Sequence, residues 1–229
     1  MLRAAGLGLL AWTVQTGAAR ADACGQALAN PEIDIRSEFA PPDLDHNRNL
    51  RALIADPAFA AARSEDFPYM LGVTQMSISG NLSMSIKGVP RSDGTFCWSV
   101  QRLDITLQAV STVYIASEIQ RDGCLWREVW HHEERHVAAN RQYFPQFAAL
   151  IRPDVLEVAR RTLAAATDAE AEAFFAAAIN RAAEKAQHRF EASAHDRHRK
   201  IDTPEEYSRV SNTCGDGEMR EVLTRAGLA

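Results

Sequence analysis

An α+β domain, with an antiparallel sheet followed by helices packed on one face, is the fold class that this sequence predicts. Two observations carry the prediction. From Tyr69 to about residue 117 apolar residues alternate with polar ones, the period of half-buried strands; after Asp122-Gly123 the apolar period becomes that of a helix. A third is compositional: 46% hydrophobic and 24% charged residues in a chain of 229 fit one globular domain with a real core, and fit neither a disordered nor a membrane-embedded chain.

In chain order, residues 1–21 open with Arg3, run apolar from Ala4 to Val14 and end in Ala19-Arg20-Ala21, the pattern of a secretory signal peptide cleaved after Ala21. The apolar run is short for a bilayer, so no stable membrane span is expected after cleavage, and the expected location is periplasmic or secreted. Cleavage would leave 23 basic and 30 acidic residues, a net charge of −7, which does not suit nucleic acid. Four cysteines then remain, Cys24, Cys97, Cys124 and Cys214, with no C-x-x-C pair. An even number in an exported chain points to two disulfides, and Cys97–Cys124 with Cys24–Cys214 is the preferred pairing of the three possible.

Residues 22–68, rich in Pro and Asp toward their end, read as an irregular lead-in with one helical candidate at NLRALIADPAFAAAR. Residues 69–229 read as the main domain. In VTQMSISGNLSMSIKG, Thr74, Met76 and Ile78 share one face and Leu82, Met84 and Ile86 another, and Gly80-Asn81 between them predicts a hairpin turn. A second turn at Ser92-Asp93-Gly94 leads into TFCWSVQRLDITLQAVSTVYIASEI, where Phe96, Trp98 and Val100 alternate first, then Ile105, Leu107 and Ala109. Leu125, Val129, His132, His136, Ala139 and Tyr143 line one stripe of the next helix, with Asp122 as expected N-cap and Pro145 as its end. Pro153 is expected to start a helix running to about Ala166. Thr167-Asp168-Ala169-Glu170 forms a capping box for a long helix through about Lys200, and Thr203-Pro204-Glu205-Glu206 starts one more.

The stripe of the first helix holds the chemistry. WHHEERHVAAN contains His132, Glu133 and His136 as H-E-x-x-H. Two histidines one turn apart can hold one metal ion, with Glu133 about 100° around the helix and within reach of a water on that ion. Zinc suits the set, because it takes nitrogen ligands and can keep an open position. Glu133 is then the catalytic general base. A charged, solvated helix is the alternative reading. Against it, both histidines lie on the apolar stripe, strands directly precede the helix, and six of the seven histidines fall within 131–136 and 188–198. His131, Glu134 and Arg135 read as surface groups.

A third ligand is required. The position six residues after the motif is Gln142, so the donor must come from further along. In AEKAQHRFEASAHDRHRK, Glu184, His188, Glu191, His195 and His198 share one stripe; His195 is the chosen third ligand and Glu191 the runner-up. Asp196 or His198 is the candidate to hold an imidazole tautomer. Tyr143 and Tyr207 are candidate donors to a developing oxyanion, with core packing the alternative for Tyr143.

From about Cys97 to Ala149 the chain resembles a family of predicted secreted bacterial zinc-dependent proteases. The shared features are a Cys-Trp strand, TVYIASE, a second cysteine at 124 and a helix carrying HHEERH. The resemblance implies a zincin-like fold and peptide-bond hydrolysis, with His132 and His136 as zinc ligands and Glu133 as base. Downstream the family has an aromatic-Asp pair followed by Thr and His-Gly. Here the stretch reads AHDRHRKIDTP, in which Asp196 corresponds and the rest departs.

The expectation is therefore an exported zinc metallopeptidase acting on a peptide or protein substrate. Two rivals stand beside it: a non-catalytic periplasmic metal-binding or assembly module, and a hydrolase of cell-wall peptides using the same zinc chemistry.

Overall fold

The structure is a computed structural model that describes residue 24, residues 30–62 and residues 69–228. The expected signal segment lies outside the described residues. Among those described, eleven α-helices and strands follow in order: β1 Glu32–Phe39, β2 Asp43–Asp45, α1 Leu50–Ala55, β3 Gly72–Pro90, β4 Phe96–Ile115, α2 Cys124–Tyr143, α3 Pro145–Ala159, β5 Thr162–Ala165, α4 Asp168–His198, α5 Pro204–Asn212 and α6 Asp216–Arg225.

The sheet is mixed, where antiparallel pairing was expected. Twenty-residue β4 is its spine: β3 pairs antiparallel along one edge, and β5, β1 and β2 take the other edge in turn. β5 runs antiparallel to β4, whereas β1 and β2 run parallel to it. Parallel neighbours need a long connection, and the chain between β1 and β4 supplies one. The lead-in is thus not irregular throughout. Ile33, Ile35 and Phe39 pack on the main core, and Asn49 caps α1 by accepting from the Ala52 N–H at 2.7 Å.

Gly80-Asn81 is not a turn. β3 passes straight through it, with Gly80 opposite Leu107 and Asn81 opposite Thr106. The apolar alternation keeps one phase from Met76 to Met84, and a continuous partner strand overrides the local turn signal. The Ser92-Asp93-Gly94 turn does join β3 to β4, with Gly94 at φ 81°. One register shift at Ser85/Ile86 leaves Gln101 as an extra residue, so Val100 and Leu103 both face the core. That bulge explains the phase change along β4.

α2, α3 and α4 cover the face that carries Thr74, Met76 and Ile78. One core cluster sets Met76, Ile78, Leu103, Ile105 and Leu107 against Phe147, Ile151, Phe175, Ile179 and Phe190; a second sets Val113, Ile115 and Leu125 against Leu50, Leu53 and Val222. Pro153 starts no helix; it lies within α3, and residues 162–165 form β5 rather than helix. Pro153 lacks an N–H for the helix ladder. The buried stripe of Phe147, Ile151, Val155 and Val158 holds α3 together across it, and Arg189 donates to the Leu150 carbonyl at 3.1 Å. Thr167 caps α4 as expected, its hydroxyl accepting from the Glu170 N–H.

The disulfides are Cys24–Cys97 and Cys124–Cys214, which corrects the preferred pairing. Spacing alone could not choose among three connectivities. They fit an oxidising, extracytoplasmic environment. Among the described residues no helix is long and apolar enough to cross a membrane.

Candidate metal centre

α2 turns Leu125, Val129, His132, Glu133, His136, Val137 and Asn140 inward. Its N-cap is Gly123 rather than Asp122, and Cys124 is tied to Cys214 after α5. Both motif histidines are 6% exposed and Glu133 is 3% exposed, so the helix face is not a solvated one. β3 comes close beneath it. Thr74 Oγ1 donates to Glu133 Oε2 at 2.7 Å, and a Cβ on Gly72 would lie 2.7 Å from Val129 Cγ1 and 2.9 Å from Glu133 Oε1. Glycine at 72 is what lets strand and carboxylate approach.

The third group is Asp202. Its Oδ1 lies 2.9 Å from His136 Nε2 and 3.2 Å from His132 Nε2, and the two Nε2 atoms are 3.2 Å apart. His132, His136 and Asp202 form a group able to hold a metal ion. Asp202 arrives there because α4 ends at His198: the N–H groups of Ile201 and Asp202 both bond the His198 carbonyl, and Thr203 then caps α5 by accepting from the Glu206 N–H. His195 and Glu191 are not brought to the imidazoles. His195 is exposed on α4, and Glu191 accepts from Gln187 at 2.9 Å. Asp196, matched above to the family's Asp, is exposed and paired with Arg199.

The outer nitrogens of both imidazoles are also held. His132 Nδ1 lies 3.4 Å from Glu206 Oε1 and 3.0 Å from Arg135 Nη2, and Arg135 itself pairs with Glu206. Arg135 is therefore part of the site's support, not a surface charge alone. Behind His136 runs a polar chain. Asn140 Nδ2 donates to Ser111 Oγ at 3.1 Å, which leaves its Oδ1 to accept from His198 Nε2 at 3.0 Å. His198 Nδ1 is then bare and accepts from His136 Nδ1 at 2.7 Å. His136 Nε2 is left without a proton, facing Asp202 and His132. The network fixes the tautomer a metal ligand needs.

Electrostatics agree with that order. Burial, with the His136 ring beside it, pushes His198 down to about 4, so it is neutral at neutral pH. For His132, burial acts to lower the value, but Asp202 and Glu133 outweigh it and the net shift is upward. Asp202 is opposed by burial too, yet the two imidazoles beside it, His132 first, hold it well below the usual carboxylate range. Hydrogen bonding from Arg209 keeps Glu206 at about 2. Tyr207 lies with its ring 5.8 Å from that of His132; burial and the Asp202 carboxylate, to which it hydrogen-bonds, raise its phenol. Tyr143 instead packs under the Arg197 guanidinium, 3.6 Å from its ring centre.

Sequence reasoning missed Asp202 as a donor, Glu206 as the carboxylate behind His132, Thr74 on Glu133, and Asn140 and Ser111 behind His198. For Asp202 and Glu206 the Thr203-Pro204 helix start was the available signal, since it marks where the chain turns back toward α2. Comparison with protein-family models, curated proteins and solved structures yields no match.

Proposed function

We propose that the chain is an exported zinc-dependent metallopeptidase of zincin type, with His132, His136 and Asp202 as zinc ligands and Glu133 as general base. One observation carries the reading: two imidazole nitrogens and one carboxylate oxygen converge to 2.9–3.2 Å beside a buried glutamate on the same helix. Donors around a tetrahedral zinc with bonds of ~2.0–2.1 Å are roughly 3.3 Å apart, so a small expansion of this cage fits the ion. Three protein donors leave a fourth position, the pattern of catalytic rather than structural zinc. Iron(II) also accepts two histidines and a carboxylate; the buried Glu133 next to them favours proton-transfer chemistry.

Zinc held there supplies a Lewis acid for a scissile carbonyl and brings the pKa of water from ~15.7 to about 7. Glu133 takes the proton of the attacking water and passes it to the leaving amine. The Thr74 hydroxyl on Oε2 and the close strand at Gly72 hold its carboxylate in place. Tyr207 stands above the site as the candidate donor to the oxyanion. The substrate lies extended along the edge of β3 that no strand pairs among the described residues, held by main-chain hydrogen bonds.

The test is metal content and turnover of the purified mature protein. One zinc per chain with cleavage of unstructured protein supports the reading, and Glu133→Gln then keeps zinc and loses cleavage by orders of magnitude. Zinc without cleavage of any peptide points to the structural metal module. Cleavage confined to cell-wall sacculi points to the wall hydrolase. Unchanged turnover in Glu133→Gln removes Glu133 from the mechanism.

A further inference from the structure

β3 has a gap in the row it turns toward the helices. Thr74, Met76, Ile78, Leu82 and Met84 alternate along that row, and Gly80 falls among them with no side chain. The backbone does not demand glycine there. Its φ is outside the left-handed region, and an added Cβ would meet only Leu107 Cδ2 at 3.6 Å and the Thr106 carbonyl at 3.7 Å, ordinary van der Waals contacts. What the glycine leaves is a hollow. Ile105 and Leu107 form its floor, and Phe147, Ile151, Ile179 and Ala183 its walls. Inside its mouth the cavity volume is ≈ 60 Å³, room for the end of a single side chain and well short of a drug-sized ligand pocket. At the mouth stand Leu82, 37% exposed, and the amides of Asn180 and Gln187.

The hollow opens beside an unused hydrogen-bonding edge. Among the described residues β3 pairs with β4 alone, so the main-chain groups of its other edge face outward. An extended peptide added there directs every second side chain to the helix side. Opposite Gly80, where β3 offers no side chain, such a group can lean across the strand onto Leu107.

We propose that this hollow holds the end of one large apolar side chain, Leu, Met or Phe, of a peptide paired along the free edge of β3, and so acts as a distal specificity subsite. The proposal rests on the metallopeptidase reading and deepens it. β3 sets the spacing: Thr74 touches Glu133, and Gly80 lies six residues further along the same strand. At ~3.3 Å per residue that is about 20 Å, which places the anchored side chain about six positions from the bond that is cut.

The test fills the hollow from within. Gly80→Ile suits a strand position and adds the missing side chain where space exists. Peptides carrying a single Leu at successive distances from a cleavable bond are compared with their Ala counterparts. Binding is measured by fluorescence anisotropy on the zinc-loaded Glu133→Gln protein, and cleavage on the active one. The expected result is a Leu preference on the order of tenfold at one distance only, the free energy of burying that side chain. Gly80→Ile should abolish it while leaving cleavage of peptides too short to reach the hollow unchanged. Ala183→Met fills the same space from α4 and must give the same loss if Gly80→Ile does not fold. Absence of any Leu preference, or a preference that survives both folded variants, overturns the proposal. Leu-dependent binding without cleavage keeps the hollow as a peptide site and sinks the hydrolase reading; cleavage without Leu dependence does the reverse.

Discussion

Replacing His198 by Phe leaves a ring of similar shape at the end of α4 and removes the nitrogen that accepts from His136. His136 Nδ1 bonds that nitrogen at 2.7 Å, and the imidazole is only 6% exposed, so water does not readily replace the lost partner. An unpaired buried N–H costs about 1–3 kcal/mol. The ring can escape that cost by moving its proton to Nε2, where Asp202 Oδ1 waits at 2.9 Å. That proton then occupies the position a metal needs. Either way metal binding weakens, by roughly 10–100-fold, the usual consequence of removing a group that orients a ligand histidine. The assay is competition for zinc against a chromophoric chelator at fixed pH, with folding checked by circular dichroism. His195→Phe, exposed on the same helix, is the control and should bind as wild type does. A folded His198→Phe protein with wild-type affinity would refute the proton order along Asn140, His198 and His136, and a matching loss in His195→Phe would refute the choice of Asp202 over His195.

Gly72→Ala should destabilise the fold by about 1–3 kcal/mol, the usual cost of overpacking, because its Cβ would press on Val129 and on Glu133 Oε1 at 2.7 and 2.9 Å; urea unfolding measures the loss, and an unchanged midpoint would show that β3 and α2 part freely. Zinc affinity should fall with acidity, because protons compete for the imidazoles. The Asp202 and Glu133 carboxylates outweigh burial and raise His132 above its ordinary 6.5, so the competition begins above that value and affinity keeps rising with pH through the neutral range. Affinity that levels off below about pH 6 would contradict it.

The motif helix was legible in the sequence because its two histidines are four residues apart on one stripe, a relation that local periodicity encodes. Asp202 was not. It sits in a turn after a long helix, and only the packing of α5 against α2 returns it to residues 66 and 70 positions earlier. The polar stripe of α4 pointed to His198 but also, wrongly, to His195, since which residue of such a stripe meets a neighbour depends on where the helix stops. Gly80-Asn81 misled for a related reason: a turn signal is local, and β4 decided otherwise. β1 was written in its alternation of Ile33 and Ile35, but the stretch is short and bounded by Pro and Asp. β5 has only four residues, and of these Leu163 alone is fully buried, too little pattern to set against a helical reading.

The Cys124–Cys214 cystine closes a circle of chain 90 residues around. His132, His136, Asp202, Glu206 and the whole Asn140–His198 relay except Ser111 lie inside that circle. A protease that nicks the exposed link between β3 and β4, or trims either terminus, therefore severs no donor from the others. Only a cut within the circle opens it, and even then the cystine keeps the two pieces joined.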